Sequence, residues 1–575
     1  MNTLTLIINF FVATWINIIT GTPLVVTIRN GTLEGAIMQT RKGRDIAAFK
    51  NIPYALPPVG NLRFEPPQPA AAWSGVRSAR EDVPVCFQGK NEVFNVDGNH
   101  KMTEDCLYLN VYSVRENFQS KDARMKHPVM VWIHGGGFYS GTSHSSLYSP
   151  KFLLDHDIVL VTLNYRIGAL GFLSTADSSA YGNQGMKDQV QSLRWVQENI
   201  AAFGGDPDNV TIFGESAGAV SVHHLIMSPS TRGLFHRAIS QSGTSLSPWA
   251  MNTQKTAKER AYKLATEFDC ADNDTMKLVH CLRKQDAEKI INVSQKWLIA
   301  ESLIQPHFRP VVEPHNTGAF LIEDPIDTLR AGRAADIPWL NGVNSNEGSL
   351  AVAPLFGLTP KVIPFIDHQF STVIPYLLLF HESCSPEQQQ IVAAKLRQFY
   401  FGKQPIDEFT RFNLIDLDSD AYFIYAQRVS IRESLKHIKS PIYYYYFQYK
   451  SSWSWSKLLG DADRDYGVCH ADDLQYFFPI RDVKAPKPYS DEDSAMIDIM
   501  TTMWYNFAST GNPTPKDQKF PAHWNPVNSD SVEQLVIENP SSIRMVQNLH
   551  KGTFHFWENL PCPAGLAPQN SYVQA

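Results

Sequence analysis

The sequence predicts an α/β fold in which a largely parallel β-sheet is covered by helices on both faces. Six short runs are rich in β-branched or aromatic residues, and continuous apolar runs of this length are typical of strands buried on both sides. These runs are 129–133, 158–163, 210–213, 238–241, 339–343 and 441–449. Segments with helical periodicity alternate with such runs, and this alternation favours parallel strands joined by helices.

The clearest helical segment lies between the second and third runs, at residues 186–202. Met186, Val190 and Leu193 begin a series of apolar residues that recur every three or four positions. Such spacing places them on one face of a helix. Gly204 and the glycine after it follow the end of the series, as is common where a helix stops.

Composition and motif order indicate one large domain over residues 22–575. The chain has 575 residues, 43% of them hydrophobic and 11% aromatic, which is ample for a large core. Length alone would allow three or four domains, but the motifs described below extend from Gly136 to His470 without a linker. The net charge of -6 gives no basic surface for nucleic acid, so we expect no nucleic-acid partner.

Residues 1–21 are predicted to be a secretory signal peptide. Positions 4–19 are mostly apolar, and small residues follow at 20–22, as a cleavage site requires. No Lys or Arg precedes the apolar stretch, so a retained membrane anchor is the alternative. A span needs about 20 apolar residues, and this stretch is shorter and contains two asparagines. We therefore expect a secreted protein without a stable membrane span.

The pentapeptide 214–218, Gly-Glu-Ser-Ala-Gly, follows the apolar run 210–213 and precedes residues that permit a helix. A serine in the middle of Gly-x-Ser-x-Gly stands on a strand-to-helix turn so sharp that its flanking residues must be small. The turn lifts the hydroxyl clear of the backbone at the tip of the strand. Ser216 is therefore the candidate nucleophile for acyl transfer.

A second glycine-rich motif, His-Gly-Gly-Gly-Phe at 134–138, closes the run 129–133. This layout supplies backbone N–H donors to an oxyanion, and glycines are needed because a Cβ would keep the carbonyl oxygen away from the amides. A glycine-rich turn without a catalytic role could have a similar sequence after a buried strand. The serine motif further along the chain favours the oxyanion interpretation.

An acid and a histidine should follow the serine in that order. Glu347 lies just after the run 339–343, and His470 lies beyond the run 441–449, so both are on loops after strands. Asp472 and Asp473 are alternative acids, but the loop would have to fold back on itself to bring either one to the imidazole. Cys469, beside the histidine, is expected to be a buried and inert thiol.

These motifs resemble those of the type-B carboxylesterase and cholinesterase family, over about residues 27–557. Further matching stretches are 51–63, 104–112, 164–173 and 203–218. Among members of the family, the chain is most similar to secreted insect carboxylesterases. The resemblance implies an α/β-hydrolase fold and a serine esterase that hydrolyses carboxylic esters through an acyl-enzyme, with no metal and no cofactor.

The resemblance also assigns roles to individual residues. It makes Ser216 the nucleophile, His470 the general base and then acid, and Glu347 the carboxylate that orients the imidazole. This division of work agrees with the chemistry, because a serine hydroxyl needs a neutral imidazole to take its proton. Ser242 would lie behind the acid. Glu215 is either a carboxylate satisfied by groups behind the site or one that adjusts the charge and water structure around His470. The backbone amides of the oxyanion hole would be those of Gly136, Gly137 and Ala217.

Seven cysteines indicate an oxidising compartment. The resemblance implies the disulfides Cys86–Cys106 and Cys270–Cys281. A third bridge is not expected, because Cys384 does not fall where cholinesterases place the partner of a C-terminal cysteine. The odd count leaves at least one free thiol or an intermolecular bond. The sequons expected to carry glycans are Asn30, Asn273 and Asn292.

Two alternative functions are open. Some relatives keep the fold, lose the catalytic residues and act as adhesion modules, whereas this chain keeps the serine, acid and histidine. Juvenile hormone esterase is the alternative among hydrolases. Those enzymes typically have Gly-Gln-Ser-Ala-Gly, and Glu215 stands here in place of the glutamine. A general carboxylesterase acting on xenobiotic, odorant or lipid-like esters is therefore favoured.

Overall fold

The protein is described by a computed structural model. It describes residues 23–89, 101–118, 126–301, 307–484, 488–528 and 531–562. The predicted signal peptide lies outside the described residues. No single helix in these ranges has both the length and the apolar composition of a bilayer span, although a bent pair, Ser349–Gly357 with Pro360–His368 at 99°, satisfies both criteria jointly.

The secondary structure of the described ranges alternates between strands and helices along most of the chain. The strands are β1 Val25–Ile28, β2 Gly31–Glu34, β3 Ala36–Gln39, β4 Asp45–Pro53, β5 Val76–Ser78, β6 Val85–Cys86, β7 Met102–Thr103, β8 Tyr108–Val114, β9 His127–Ile133, β10 Val159–Leu163, β11 Gly205–Glu215, β12 Arg237–Gln241, β13 Trp339–Asn344, β14 Ile442–Phe447, β15 Glu533–Asn539 and β16 Ser542–Gln547. The α-helices are α1 Arg115–Phe118, α2 Gly168–Phe172, α3 Gln184–Asn199, α4 Ala217–Met227, α5 Gln254–Thr266, α6 Thr275–Arg283, α7 Ala287–Glu301, α8 Pro325–Arg330, α9 Ser349–Gly357, α10 Ile363–His368, α11 Phe370–Leu377, α12 Pro386–Tyr400, α13 Arg411–Ser419, α14 Tyr425–Leu435, α15 Ile480–Lys484, α16 Asp491–Thr510 and α17 Lys551–Glu558.

One sheet of 11 strands organises the fold, in the order β16-β15-β14-β13-β12-β11-β9-β10-β8-β4-β3. The strands from β10 to β15 in this order pair in parallel, which confirms the predicted parallel sheet. Strands β8, β4 and β3 at one edge and β16 at the other pair antiparallel. The outermost strands, β3 and β16, have mostly half-buried or exposed side chains, whereas β4 and β8 are largely buried. An outermost antiparallel strand can leave one face to solvent and therefore need not be a continuous apolar run.

Strand β9 shows why the central runs are apolar throughout. Val129, Val131 and Ile133 belong to the core on one face of the sheet, and Met130 and Trp132 belong to the core on the other. Side chains of a strand alternate between faces, so a strand covered on both sides needs apolar residues at every position. The two cores confirm that helices cover both faces.

The predicted helix at 186–202 begins and ends slightly earlier than expected. Helix α3 spans Gln184–Asn199, and a 3-10 turn, Ile200–Phe203, continues it to Gly204. Gly204 has φ of 82°, a left-handed conformation that glycine adopts without strain and that ends the helix. The next strand then begins at Gly205, five residues before the apolar run that predicted it.

The described chain contains three disulfides. Two are Cys86–Cys106 and Cys270–Cys281, the pairs implied by the resemblance. The third joins Cys384 to Cys562, so the expectation that no third bridge forms is wrong. Cys384 follows a turn before α12 and Cys562 follows α17, and packing between these helices brings the two thiols together. Sequence spacing could not show this, because 178 positions separate them. Cys469 is free and buried.

Candidate active site

Ser216 occupies the sharp turn between β11 and α4. Its φ of 58° and ψ of −123° are unusual for a residue with a side chain, and its backbone N–H donates to Gln241 O at 2.9 Å. A Cβ at Gly214 would lie 2.6 Å from the carbonyl oxygen of Ile133, and one at Gly218 would lie 2.0 Å from the same atom. Both glycines are therefore required for β11 and α4 to pass so close to β9.

Glu347 and His470 meet beyond the ends of β13 and β14. The Nδ1 atom of His470 lies 2.5 Å from Oε2 of Glu347, and both side chains are buried. The other carboxylate oxygen accepts hydrogen bonds from the backbone N–H of Asn344 at 2.7 Å and from the hydroxyl of Ser242 at 2.5 Å. These partners fix the carboxylate, and the carboxylate fixes the ring so that Nδ1 carries a proton and Nε2 is left as the basic atom.

Glu215 brings a second carboxylate to the same imidazole. Its Oε1 lies 2.9 Å from His470 Nε2, although the two groups are not aligned as a hydrogen bond, so their interaction is electrostatic. Burial disfavours the imidazolium, but the carboxylates of Glu215 and Glu347 outweigh burial and raise the pKa of His470 to about 10. Burial is also the main cause that raises the pKa of the Glu215 carboxyl. The charges of Glu215 and Glu347 therefore both favour the protonated form of His470.

The glycine loop after β9 turns its amides in a defined direction. The carbonyl oxygen of Gly136 accepts from the N–H of Tyr139 at 3.1 Å and from both the N–H and the hydroxyl of Ser140 at 3.0 Å. In a trans peptide the N–H points opposite to the C=O, so these bonds turn the Gly137 N–H away from the Tyr139–Ser140 turn. The loop also packs on the elbow, because a Cβ at Gly135 would lie 3.0 Å from the Cβ of Ser216.

His134 orients the peptide group between Gly135 and Gly136 in a similar way. Its Nδ1 lies 2.8 Å from the carbonyl oxygen of Gly135, which can only accept, so Nδ1 carries the proton. Burial lowers the pKa of His134 to about 4, which keeps the ring neutral. Among the described residues, none accepts a hydrogen bond from the N–H groups of Gly136, Gly137 or Ala217. These three amides are available to a ligand beside Ser216.

The alternative acids, Asp472 and Asp473, accept hydrogen bonds from groups other than the imidazole. Asp472 accepts from the backbone N–H groups of Trp455 and Cys469, each at 2.8 Å, and burial raises its pKa to about 7. Asp473 accepts from the side chains of Gln241 at 2.8 Å and Tyr445 at 3.1 Å, and burial raises its pKa to about 6. Both carboxylates shape the loop that carries the histidine. The Cys469 thiol is buried, and burial raises its pKa, which disfavours the reactive thiolate.

Sequence reasoning missed Phe423, whose ring centroid lies 4.8 Å from that of His470. Phe423 belongs to a π-helical turn, Asp420–Ile424, inserted between α13 and α14. Its ring also contacts Trp249 at 5.7 Å, and Trp249 Nε1 donates to Tyr422 O at 3.1 Å. The two rings form an aromatic wall beside the imidazole. No sequence signal marks a π-turn, although such turns are frequent at functional sites.

Comparison with known proteins assigns the chain to a family. Residues 22–557 match the Carboxylesterase family. The chain belongs to this family. It is thus a carboxylic ester hydrolase with the α/β-hydrolase fold, as the motifs predicted, and serine-histidine-acid triads are typical of such esterases.

Several relatives of this carboxylesterase are insect enzymes. A carboxylic ester hydrolase of Bombus ignitus is 36% identical over 92% of the chain and 93% of its own length. Juvenile hormone esterase of Tribolium castaneum is 35% identical over 93% of the chain and 91% of its own length. The crystal structure of juvenile hormone esterase from Manduca sexta, with OTFP covalently attached, superposes with a TM-score of 0.84. That match has 28% identity and covers 94% of this chain and 99% of the other.

Proposed function

We propose that this carboxylesterase hydrolyses small neutral esters through an acyl-enzyme on Ser216. The observation that carries the proposal is the contact of 2.5 Å between Glu347 and His470, placed beyond β13 and β14, which follow β12 on one side of the serine-bearing strand β11. Donors that hold the carboxylate from behind leave it ready to stabilise an imidazolium. We also propose that the catalytic domain extends over residues 22–575, since one sheet carries strands from Ala36 to Gln547.

These residues support the following two-step reaction. His470 Nε2 takes the proton of Ser216 as the serine oxygen attacks the ester carbonyl carbon, and the carbonyl π electrons move to oxygen. The amides of Gly136, Gly137 and Ala217 bind that oxyanion. The C–O bond to the alcohol then breaks as Nε2 returns the proton to the departing oxygen. Water attacks the acyl-enzyme by the same sequence and releases the acid.

The aromatic wall limits the acyl group. Phe423 lies against the imidazole and Trp249 lies against Phe423, and we propose that these two rings border the acyl group of a bound ester. Such a wall would favour short or compact acyl groups. One methylene that does not fit a pocket costs about 1–3 kcal/mol of discrimination.

We expect kcat/KM to fall as the acyl chain of a neutral ester lengthens from acetate to decanoate. Trp249→Ala should improve the ratio of long to short esters by about tenfold or more, because it removes part of the wall. Trp297→Ala is the matched control, since Trp297 is as buried as Trp249 (7% and 8% exposed) but packs on Phe308 instead. A flat acyl profile that Trp249→Ala does not alter would contradict this assignment of the wall.

Juvenile hormone should be assayed beside the neutral esters from acetate to decanoate. Two relatives are juvenile hormone esterases, which favours this substrate, whereas Glu215 replaces the glutamine typical of such enzymes. The panel separates the two functions, because a kcat/KM for juvenile hormone far above that for every short ester would favour the hormone esterase. Complete loss of turnover for all esters would favour an inactive adhesion-type relative.

Glu215→Gln should move the acid limb of the pH–rate profile to lower pH. The limb reports the pKa of His470, which the Glu215 carboxylate helps to raise above the usual imidazole range, and catalysis needs the neutral imidazole. Removing this charge lowers the pKa, so more neutral imidazole is present at acidic pH. The measurement is kcat/KM from about pH 5 to 11, so that the whole acid limb of each variant is recorded.

Asp418→Asn is the control for this shift, because Asp418 is also buried and burial raises its pKa, but none of the described interactions joins it to the imidazole. An acid limb at the same pH in Glu215→Gln and wild type would exclude Glu215 as the source of the raised pKa.

We further propose that the esterase is secreted and glycosylated. Three disulfides suit an oxidising compartment, and the apolar segment at 4–19 suits a signal peptide. The sequon residues Asn273 and Asn292 are exposed, and Asn30 is half-buried with its amide donating to Ala70 O at 2.8 Å. The two exposed asparagines are therefore the better candidates for glycans.

A further inference from the structure

The glycine loop 134–141, called here the oxyanion loop, is held at its far end by the side chain of Gln88, which lies outside the loop. The amide nitrogen of Gln88 donates to Gly141 O at 2.9 Å, and its amide oxygen accepts from Gly141 N–H at 2.9 Å. The same nitrogen also donates to Cys86 O at 3.2 Å. One side chain thus binds both the N–H and the carbonyl oxygen of Gly141, which fixes the position and the orientation of this residue's backbone.

Gly141 is the point where the loop 134–141 closes on itself. A Cβ there would lie 2.3 Å from His134 Nδ1 and 2.5 Å from Gly135 O, so the last residue of the loop rests directly on its first two. Its φ of 115° also requires glycine. A shift of Gly141 would displace the adjacent Ser140, whose N–H and hydroxyl hold the Gly136 carbonyl.

Gln88 itself stands on a rigid base. It follows Cys86, which is linked to Cys106 and paired in the short sheet of β6 and β7. Beside that sheet, Arg63 and Glu104 form a buried ion pair at 2.6 Å. The backbone that carries Gln88 is therefore anchored covalently and electrostatically. A clamp from such a base restricts the oxyanion loop in a way that bonds within the loop cannot.

We propose that Gln88 is a positioning residue that fixes the amides of Gly136 and Gly137 by clamping Gly141. The inference rests on the proposed function, because it takes these amides to be the oxyanion donors. Gln88 acts through the loop, so its loss should weaken binding of the transition state and leave binding of the ground-state ester nearly unchanged.

Two variants test the clamp. Gln88→Met keeps the length of the side chain and removes its hydrogen bonds, and Gln88→Ala removes both. We expect kcat to fall about tenfold to hundredfold in each, less than the roughly 100- to 1000-fold loss for a whole oxyanion donor, with KM within about threefold of wild type. The inhibition constant of a trifluoromethyl ketone, which forms a tetrahedral adduct with the serine, should rise by the same factor as kcat/KM falls.

Gln197→Ala is the matched control. Gln197 also donates two hydrogen bonds to backbone, to Pro207 O at 2.9 Å and Leu234 O at 3.0 Å, but it lies at the opposite end of β11. This variant should leave kcat and the ketone constant unchanged at a comparable thermal midpoint. The clamp is refuted if Gln88→Met keeps wild-type kcat and ketone affinity, or if its loss appears only in KM or equally in Gln197→Ala. Hydrolysis retained by Ser216→Ala would instead refute the proposed function. Because this variant is measured in the same assay, failure of the proposed function can be distinguished from failure of the clamp.

Discussion

Ser216→Ala is expected to abolish ester hydrolysis while leaving the thermal midpoint near that of wild type. In a well-studied serine hydrolase, loss of the nucleophile costs on the order of a millionfold in kcat, and we expect a loss of similar size. Alanine keeps the Cβ at the same φ of 58°, so the substitution changes neither the strain of the turn nor its packing. Hydrolysis of a chromogenic acetate ester and labelling by an organophosphate provide the measurements.

The control for this variant is Ser221→Ala on the same helix. Ser221 is buried and accepts from Gln189 Nε2 at 3.1 Å, so its loss tests the cost of removing a buried hydroxyl without removing the nucleophile. It should retain activity and labelling. Activity of Ser216→Ala above a hundredth of wild type, or an organophosphate adduct mapped to another residue, would contradict the assignment of Ser216.

The centre of the fold could be predicted because its signals are local. Strands such as β9 are buried on both faces and therefore consist of continuous apolar residues. The edge strand β16 carries no such run, since several of its side chains are half-buried or exposed. The Cys384–Cys562 bridge was missed for a related reason. It depends on packing between helices distant in sequence, and no local pattern records that packing.

The candidate site likewise contains residues that local sequence motifs predict and residues that they do not. The turn around Ser216 and the glycine loop are short motifs whose geometry demands particular residues, so the two motifs taken together predict them. Glu347 and His470 were identified from chain order and loop position, and the structure brings them to 2.5 Å across 123 positions. Gln88 carries no motif, because an amide that binds backbone 53 positions away looks like any polar surface residue. Such supporting contacts become visible only in three dimensions.

Glu347→Gln is expected to reduce kcat by about four orders of magnitude while the protein stays folded. In another serine-histidine-acid triad, replacing the acid by its amide lowered kcat about 10⁴-fold, because the amide favours the wrong imidazole tautomer and cannot stabilise the imidazolium. Here the glutamine amide would present either an N–H or an uncharged oxygen to His470 Nδ1, in place of the carboxylate that now lies 2.5 Å away. Ser242 and Asn344, which donate to the other oxygen, can still do so to a glutamine oxygen, so folding should survive.

Asp473→Asn is the matched control for Glu347→Gln. Asp473 is also buried and lies three positions after the histidine, but its carboxylate bonds to Gln241 and Tyr445 rather than to the imidazole. The asparagine oxygen can accept from both of these partners, and only the longer bond of 3.3 Å from Asn344 Nδ2 to the other carboxylate oxygen is lost. We therefore expect kcat within about tenfold of wild type, since Glu347, the acid that sets the imidazole tautomer, is untouched. Both variants are measured by kcat and kcat/KM on one neutral ester, with circular dichroism as the check on folding. A nearly active Glu347→Gln beside an inactive Asp473→Asn would transfer the role of the orienting acid to Asp473, and it would show that the short contact at Glu347 stabilises the loop rather than the imidazolium.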